Sequence, residues 1–202
     1  MNDNLVNEFE RIKQKIRDVI KKKAAKVCVG ASTIRVFPKN SSSKIKGALL
    51  RVDVNRMLRI KNPKDFKKWF EDELTKVARA IPKVTRNKKK NKKLSRGARY
   101  WGYGAKILNL YLRDIVIHNH YFTDAQVERI QDLLYVPLDS KVIDKLKKLN
   151  VHLDFGKIKE IDNCDKFYQV QDELGRAADK AGAPRIWFDY VWAEDPKERK
   201  WR

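Results

Sequence analysis

The chain has 202 residues, a net charge of +21 and 42% hydrophobic residues. This hydrophobic content excludes a chain that is disordered throughout, and the length predicts one domain. The excess of 47 Lys and Arg over 26 Asp and Glu predicts a polyanionic partner. Nucleic acid is favoured over an acidic membrane, because no stretch approaches the ~20 apolar residues that a spanning helix needs.

Cys28 and Cys164 are the only cysteines. Two thiols fit a reducing compartment and are too few to build a zinc site or an iron–sulfur cluster, so we expect no cofactor and no metal. Residues 1–8 are polar and lack the apolar core of a signal peptide. We therefore expect a cytoplasmic monomer.

The N-terminal third of the chain begins with a clear helical pattern. Over residues 5–26, apolar residues recur at helical spacing opposite a Lys- and Arg-rich face, which predicts an amphipathic helix. Residues 27–61 are harder to interpret. A short β hairpin could form over 27–36, residues 40–43 are typical of a loop, and 48–60 could be helix or strand. The apolar positions of the helix are Leu5, Phe9, Ile12, Ile16, Val19 and Ile20.

Asn62 and Pro63 resemble an N-cap and a first-turn proline, and predict a helix to about Ala80. The segment 86–99 is dense in Lys and Arg. It is either a solvated linker or a phosphate-binding surface, and both interpretations stay open.

The second half of the chain is predicted to be helical. Gly102 to Gly104 predict a tight turn, followed by a helix over 107–116 that is apolar on most sides and therefore central. A capping box at Thr123 begins a helix to about 134. Further helices are predicted from Asp139, over 165–181, and as a short aromatic segment after Pro184. The expected fold is mostly α.

Two residues 33 positions apart carry the candidate chemistry. Lys106 follows the two glycines at the start of the predicted central helix, where a helix N-terminus disfavours the charged ammonium and favours the nucleophilic amine. Asp139 follows Val136-Pro137-Leu138 and is placed to cap the next helix. A carboxylate there could also stabilise a positively charged sugar. A surface lysine and an ordinary cap are the alternative interpretations.

Gly102-Tyr103-Gly104-Ala105-Lys106, a helix, and then an apolar-Pro-apolar-Asp segment resemble the helix–hairpin–helix DNA glycosylase superfamily. The interval between Lys106 and Asp139 is longer than in most members and is close to that of the archaeal 8-oxoguanine glycosylase branch, whose hairpin region is lengthened. The resemblance covers residues 95–149. It implies one two-lobed glycosylase-like domain, with helices 1–82 and 160–202 flanking a catalytic core at 95–150.

The resemblance also implies roles for particular residues. Lys106 matches the Schiff-base lysine, Asp139 the catalytic aspartate, and Gly102, Tyr103 and Gly104 the DNA-contacting hairpin. The implied partner is double-stranded DNA from which a damaged or modified base is flipped and excised, in repair or in defence against phage with modified DNA. Basic residues before the hairpin are added as candidate DNA contacts, and nearby aromatic residues as candidate walls of the base pocket. The former are Lys88, Lys89, Lys90, Arg96 and Arg99, and the latter are Trp101, Trp187 and Phe188.

Three other interpretations compete with this one. A non-enzymatic DNA- or RNA-binding protein explains the charge equally well, but leaves Lys106 and Asp139 without a shared role. A nuclease needs a cluster of acidic metal ligands, and none is evident. His118-x-His120 with Asp114 and Asp124 could suggest a metal site, but alternate residues do not share a helix face, so polar residues at a helix end are favoured.

Overall fold

The computed structural model describes residues 3–30, 35–85, 92–119, 121–148 and 150–190. These residues are mostly helical and share one continuous hydrophobic core, which extends from Ala24 to Ile186. The prediction of a mostly α fold class is therefore confirmed.

The elements follow one another with short connections. Eight α-helices are described: α1 (Asp3–Cys28), α2 (Ser41–Leu50), α3 (Val54–Met57), α4 (Pro63–Ala80), α5 (Ala105–Arg113), α6 (Asp124–Gln131), α7 (Ser140–Lys148) and α8 (Cys164–Ala181). Two-residue strands, β1 (Val84–Thr85) and β2 (Lys92–Lys93), pair antiparallel. Segments Ala98–Gly104 and Asp114–His118 are π-helical, and Ile158–Glu160 and Arg185–Tyr190 are 3₁₀-helical.

The helix boundaries that rest on capping chemistry were predicted correctly. The Asn62 side chain accepts a hydrogen bond from the backbone N–H of Asp65, and Pro63 occupies the first turn of α4. Thr123 and Gln126 form the capping box of α6. Gly182 ends α8 in the left-handed conformation, with φ of 62°.

The predicted β hairpin at 27–36 is wrong for the residues that the structure describes there. Val27 belongs to α1, and residues 35–40 form turns, while 31–34 lie outside the described residues. The loop expected over 40–43 is also wrong, because α2 begins at Ser41. The described strands lie instead just before the basic segment 86–99 and within it, where Val84 pairs with Lys93.

The predicted helix at the N-terminus is confirmed, but its apolar face is not covered in the way that the pattern suggests. Ile12, Ile16 and Val19 are 42%, 55% and 63% exposed, whereas Ala24 and Ala25 are fully buried. α1 packs against α2 and α5, and its buried residues Ala24, Ala25 and Cys28 all lie near its C-terminal end.

The tight turn predicted at Gly102–Gly104 is wrong. Residues 96–118 form one uninterrupted helical run in which α5 lies between two π-helical segments. A Cβ atom on Gly102 would lie 2.3 Å from the Ile158 carbonyl oxygen, and one on Gly97 would lie 1.6 Å from that of Asp162. These glycines allow the loop 156–162 to approach the helix closely, so their function in the fold is packing rather than turning.

Candidate active site

Lys106 and Asp139 meet at the surface of the core. The Lys106 ammonium donates to Oδ2 of Asp139 across an Nζ–Oδ2 distance of 3.3 Å. The two side chains are 15% and 28% exposed, so the pair is half-buried and solvent reaches it mainly at the carboxylate. The fold therefore brings together two residues that are 33 positions apart in the sequence.

Asp139 holds two structural positions with its two carboxylate oxygens. Oδ1 accepts hydrogen bonds from the backbone N–H groups of Lys141 and Val142, at 3.0 and 3.1 Å, and so caps α7. Oδ2 is left to face Lys106. Capping fixes the carboxylate, because its first oxygen is committed to the helix and its rotation would break both bonds.

The segment before Asp139 is held in place by side chains from the C-terminal part of the chain. The Gln171 amide bonds Val136 twice, donating to its carbonyl oxygen and accepting from its N–H, both at 2.9 Å. Arg185 donates to the carbonyl oxygens of Leu133 and Leu134. Val136 and Leu138 are buried. This buried, fully bonded segment gives Asp139 a fixed position opposite α5.

A second ion pair lies beside the first. Arg113, two helical turns after Lys106, pairs with Asp189 of the Arg185–Tyr190 segment, and the Asp189 carboxyl is almost entirely buried. Burial raises the pKa of Asp189, the Arg113 guanidinium opposes this rise, and the negative charge of Asp139 adds to it. The charge of Asp139 therefore acts on Asp189, and the site groups two basic and two acidic side chains.

Asn109 is a site residue that the sequence argument missed. It follows Lys106 by three positions and precedes Arg113 by four, so the three share one face of α5. Its side chain is 1% exposed, and neither its amide nitrogen nor its oxygen has a hydrogen-bond partner among the described residues. A buried amide without partners costs about 1–3 kcal/mol. The sequence did carry a signal for this residue, because Asn109 is the single amide side chain inside the otherwise apolar run 107–112.

The surroundings of Lys106 differ from those expected for the first residue of a helix. Because the helical run begins at about Arg96, the backbone N–H groups near Lys106 are bonded within the helix and present no bare N-terminus. The helix dipole therefore gives no local reason for a neutral amine, and the Lys106 nitrogen instead lies against the Asp139 carboxylate. Reaction at this nitrogen requires the proton to leave first.

The candidate DNA-contacting residues are found in different environments. Gly102, Tyr103 and Gly104 are buried, and the Tyr103 ring packs edge-on against Phe37. They have no surface on which to contact phosphate directly. Arg96 is exposed, whereas Arg99 is half-buried and donates to the Ile81 carbonyl oxygen. Lys88, Lys89 and Lys90 lie outside the described residues.

The three candidate aromatic walls are distinguished by exposure. Trp101 contacts Phe167 and Tyr168, with ring centroids 5.7 and 5.6 Å apart, and belongs to the aromatic core. Phe188 is half-buried against that core. Trp187 is 52% exposed and lies two residues before Asp189. Trp187 is therefore the most exposed of the three candidate rings.

His118 has hydrogen-bond partners within the fold. Its Nδ1 lies 3.1 Å from Oδ1 of Asp114 and its Nε2 lies 2.6 Å from the Tyr190 hydroxyl, while His120 lies outside the described residues. Within the described ranges, no three His, Cys, Asp or Glu residues are grouped as metal ligands. None of the helices described is long and apolar enough to cross a membrane.

A separate cleft of about 530 Å³ is lined neither by Lys106 nor by Asp139. Its walls come from the start of α4, the end of α6 and α8, and include Tyr135, Tyr168 and Arg185. The charges around it are mixed, with Asp132, Asp172 and Asp179 facing Lys64, Lys67 and Arg185. This cleft and the pair of Lys106 and Asp139 are therefore distinct features.

No protein-family profile matches this chain, and no curated protein or solved structure is significantly similar to it.

Proposed function

We propose that this protein is a DNA glycosylase that flips a damaged or modified base from duplex DNA and cleaves its N-glycosidic bond. The observation that carries the proposal is the 3.3 Å contact between Lys106 and Asp139, because the motif resemblance assigns these two residues the roles of nucleophile and catalytic carboxylate. A net charge of +21 supports an anionic substrate.

The proposed reaction uses both partners of the ion pair. A proton leaves the Lys106 ammonium, for which Asp139 is the nearest acceptor in this site. The amine lone pair then forms a bond to the sugar C1′, the C1′–N bond pair leaves with the base, and the base takes up the proton that Asp139 had accepted, which leaves Asp139 ionised. The Asp139 carboxylate, when ionised, stabilises the positive charge that develops on the sugar. One proton then moves from the C1′-bound nitrogen to the ring oxygen, which departs with its C1′ bond pair while the nitrogen lone pair forms a C1′=N bond. The product is a ring-opened, protonated Schiff base, from which β-elimination can break the strand.

Trp187 is the proposed stacking surface for the flipped base. Its ring is half-exposed, and its short 3₁₀ segment also carries Asp189, whose charge interacts with that of Asp139. Flipped bases are held by stacking on aromatic rings and by hydrogen bonds to their edges. The unpartnered Asn109 amide lies one turn from Lys106. It is the proposed hydrogen-bonding partner for the edge of the flipped base.

The function is tested by incubating the wild type with duplexes that carry 8-oxoguanine, other oxidised or deaminated bases, or the modified cytosines of phage DNA. Released bases are identified by mass spectrometry, and abasic sites are counted after alkali treatment. The proposal predicts release of at least one base class, and that class distinguishes repair from antiviral defence. A protein that binds these duplexes and leaves all of them chemically intact would instead be a non-enzymatic binder.

A further inference from the structure

A groove lies between α2, α4 and the residues after α4, and every charged residue in its lining is basic. It consists of two adjoining cavities of about 330 and 560 Å³, which share Lys44, Arg79 and Ala80 in their walls. We call this surface the basic groove. Its charged lining residues are Lys44, Arg51, Lys76, Arg79, Lys83 and Arg99.

The charge of this groove is not a simple consequence of a basic composition. The whole chain contains 47 Lys and Arg and 26 Asp and Glu residues, so acidic residues are common in it. The 530 Å³ cleft described above, for example, has three aspartates in its walls. Neither cavity of the basic groove is lined by an acidic residue. Within the described ranges Lys76 is the only one of the six with an acidic partner, since its ammonium lies 2.7 Å from Oε1 of the buried Glu73.

The backbone around the groove adds to the positive potential. The first turn of α2 contributes Ser41, Ser43 and Lys44 to its walls, and the N-cap residue Asn40 makes no side-chain cap bond. The positive end of the helix dipole is therefore not offset by a capping side chain, and it lies beside Lys44 and Arg79. An extended concave surface of this kind fits a chain of phosphates better than a single small anion.

We propose that the basic groove binds the phosphodiester backbone of a nucleic-acid duplex, away from the reacting base. Arg99 connects the two regions, because it lines the groove and precedes Lys106 by seven residues in the same helical run. Seven α-helical residues would span about 10 Å and most of this stretch is π-helical, so the groove and the candidate active site adjoin the same short helical run. The groove needs only a nucleic-acid partner and does not require the glycosylase chemistry.

The test compares two double variants that each remove two positive charges. Lys44→Gln with Arg79→Gln neutralises the groove at two exposed positions, and Lys22→Gln with Lys26→Gln removes the same charge from the exposed face of α1. Binding of each to an undamaged, fluorescently labelled duplex is measured by anisotropy over a series of salt concentrations. Thermal melting of each variant confirms that it is folded.

We expect the groove variant to bind the duplex at least tenfold more weakly at low salt. The slope of log affinity against log salt should fall by about two, one unit for each lost phosphate contact. The α1 variant should keep the wild-type slope. Equal losses in the two variants would overturn the proposal, because only net charge would then matter. Retained duplex binding together with lost binding to vesicles of mixed anionic and neutral phospholipid would also overturn it.

The outcome is separable from that of the proposed function. If the wild type releases no base from any duplex and the groove variant still loses binding, the groove proposal stands and the glycosylase proposal fails. If the wild type releases a base and the groove variant binds the duplex as the wild type does, the glycosylase proposal stands and the groove proposal fails.

Discussion

At the scale of single residues, Asp139 caps α7 and is also the proposed catalytic carboxylate. Asp139→Asn separates these two roles. Asparagine caps helices as well as aspartate does, so Asp139→Asn should retain the bonds to Lys141 and Val142 and change stability by less than about 1 kcal/mol. The loss of the charge that faces Lys106 should lower single-turnover base release by about 10²–10³-fold. Release and urea unfolding are measured on the same preparation.

The matched control is Asp139→Ala, which removes the charge and the cap together. It should lose activity to a similar extent and also lose about 0.5–2 kcal/mol of stability. Full base release by Asp139→Asn would contradict a catalytic role for this carboxylate and leave it as a cap alone.

Asn109 offers a second test at this scale. Replacing the buried, unpartnered amide by the apolar side chain of leucine should raise the free energy of unfolding by about 1–3 kcal/mol, because the desolvation cost disappears. If Asn109 contacts the flipped nucleotide, Asn109→Leu should at the same time reduce base release. A stabilised variant with unchanged base release would remove Asn109 from the site.

Trp187 provides the third residue-scale prediction. Base stacking on an aromatic ring contributes about 1–3 kcal/mol, so Trp187→Ala should weaken binding of a substrate duplex about 5- to 150-fold more than that of an undamaged duplex. The fold should be unaffected, since the ring is 52% exposed. Equal binding losses for both duplexes would place Trp187 on the general DNA surface rather than against the base.

At the scale of secondary-structure elements, the helical run 96–118 differs most from its prediction. The Gly-x-Gly pattern is typical of a turn, yet here it forms the crossing point between this run and the loop 156–162. That contact depends on residues more than 50 positions away in the sequence. The local sequence pattern around Gly102 therefore could not predict it. Gly104 shows the same effect, as a Cβ there would lie 3.1 Å from the Leu74 side chain.

The packing role of Gly102 makes a prediction that a phosphate-binding role does not. Gly102→Ala should destabilise the protein by about 1–3 kcal/mol, because its Cβ would overlap the Ile158 carbonyl oxygen. Gly175→Ala, in the middle of α8, is the control. Its Cβ would lie 3.6 Å from Arg185, and helix propensity should stabilise it by about 0.5–1 kcal/mol. Reduced DNA binding by Gly102→Ala with wild-type stability would contradict the packing role.

Elements with local signals were predictable, whereas those set by tertiary contacts were not. The caps at Asn62, Thr123 and Asp139 satisfy backbone groups within three residues, so the sequence alone locates α4, α6 and α7. The exposed apolar face of α1 could not be foreseen, because periodicity predicts that a face exists and not whether anything covers it.

At the scale of the whole molecule, the site and the groove are products of the fold. Lys106 and Asp139 could be paired in advance only through the motif resemblance, and their contact depends on Gln171 and Arg185 holding the segment 133–136. Asp189 reaches the site through packing that no local pattern encodes, whereas Asn109 lies on the Lys106 face of α5 by helical spacing. The six basic residues of the groove are dispersed from Lys44 to Arg99 and are brought together by α2 packing on α4.

The most direct measurement of the central claim is borohydride trapping of the covalent intermediate. Wild type, Lys106→Gln and Asp139→Asn are each mixed with duplexes that carry an abasic site, 8-oxoguanine or modified cytosines, reduced, and separated on a denaturing gel. A Schiff base at Lys106 predicts a protein–DNA band for the wild type on at least one duplex and none for Lys106→Gln. A band of equal intensity in Lys106→Gln, or no band for the wild type on any duplex, would contradict Lys106 as the nucleophile.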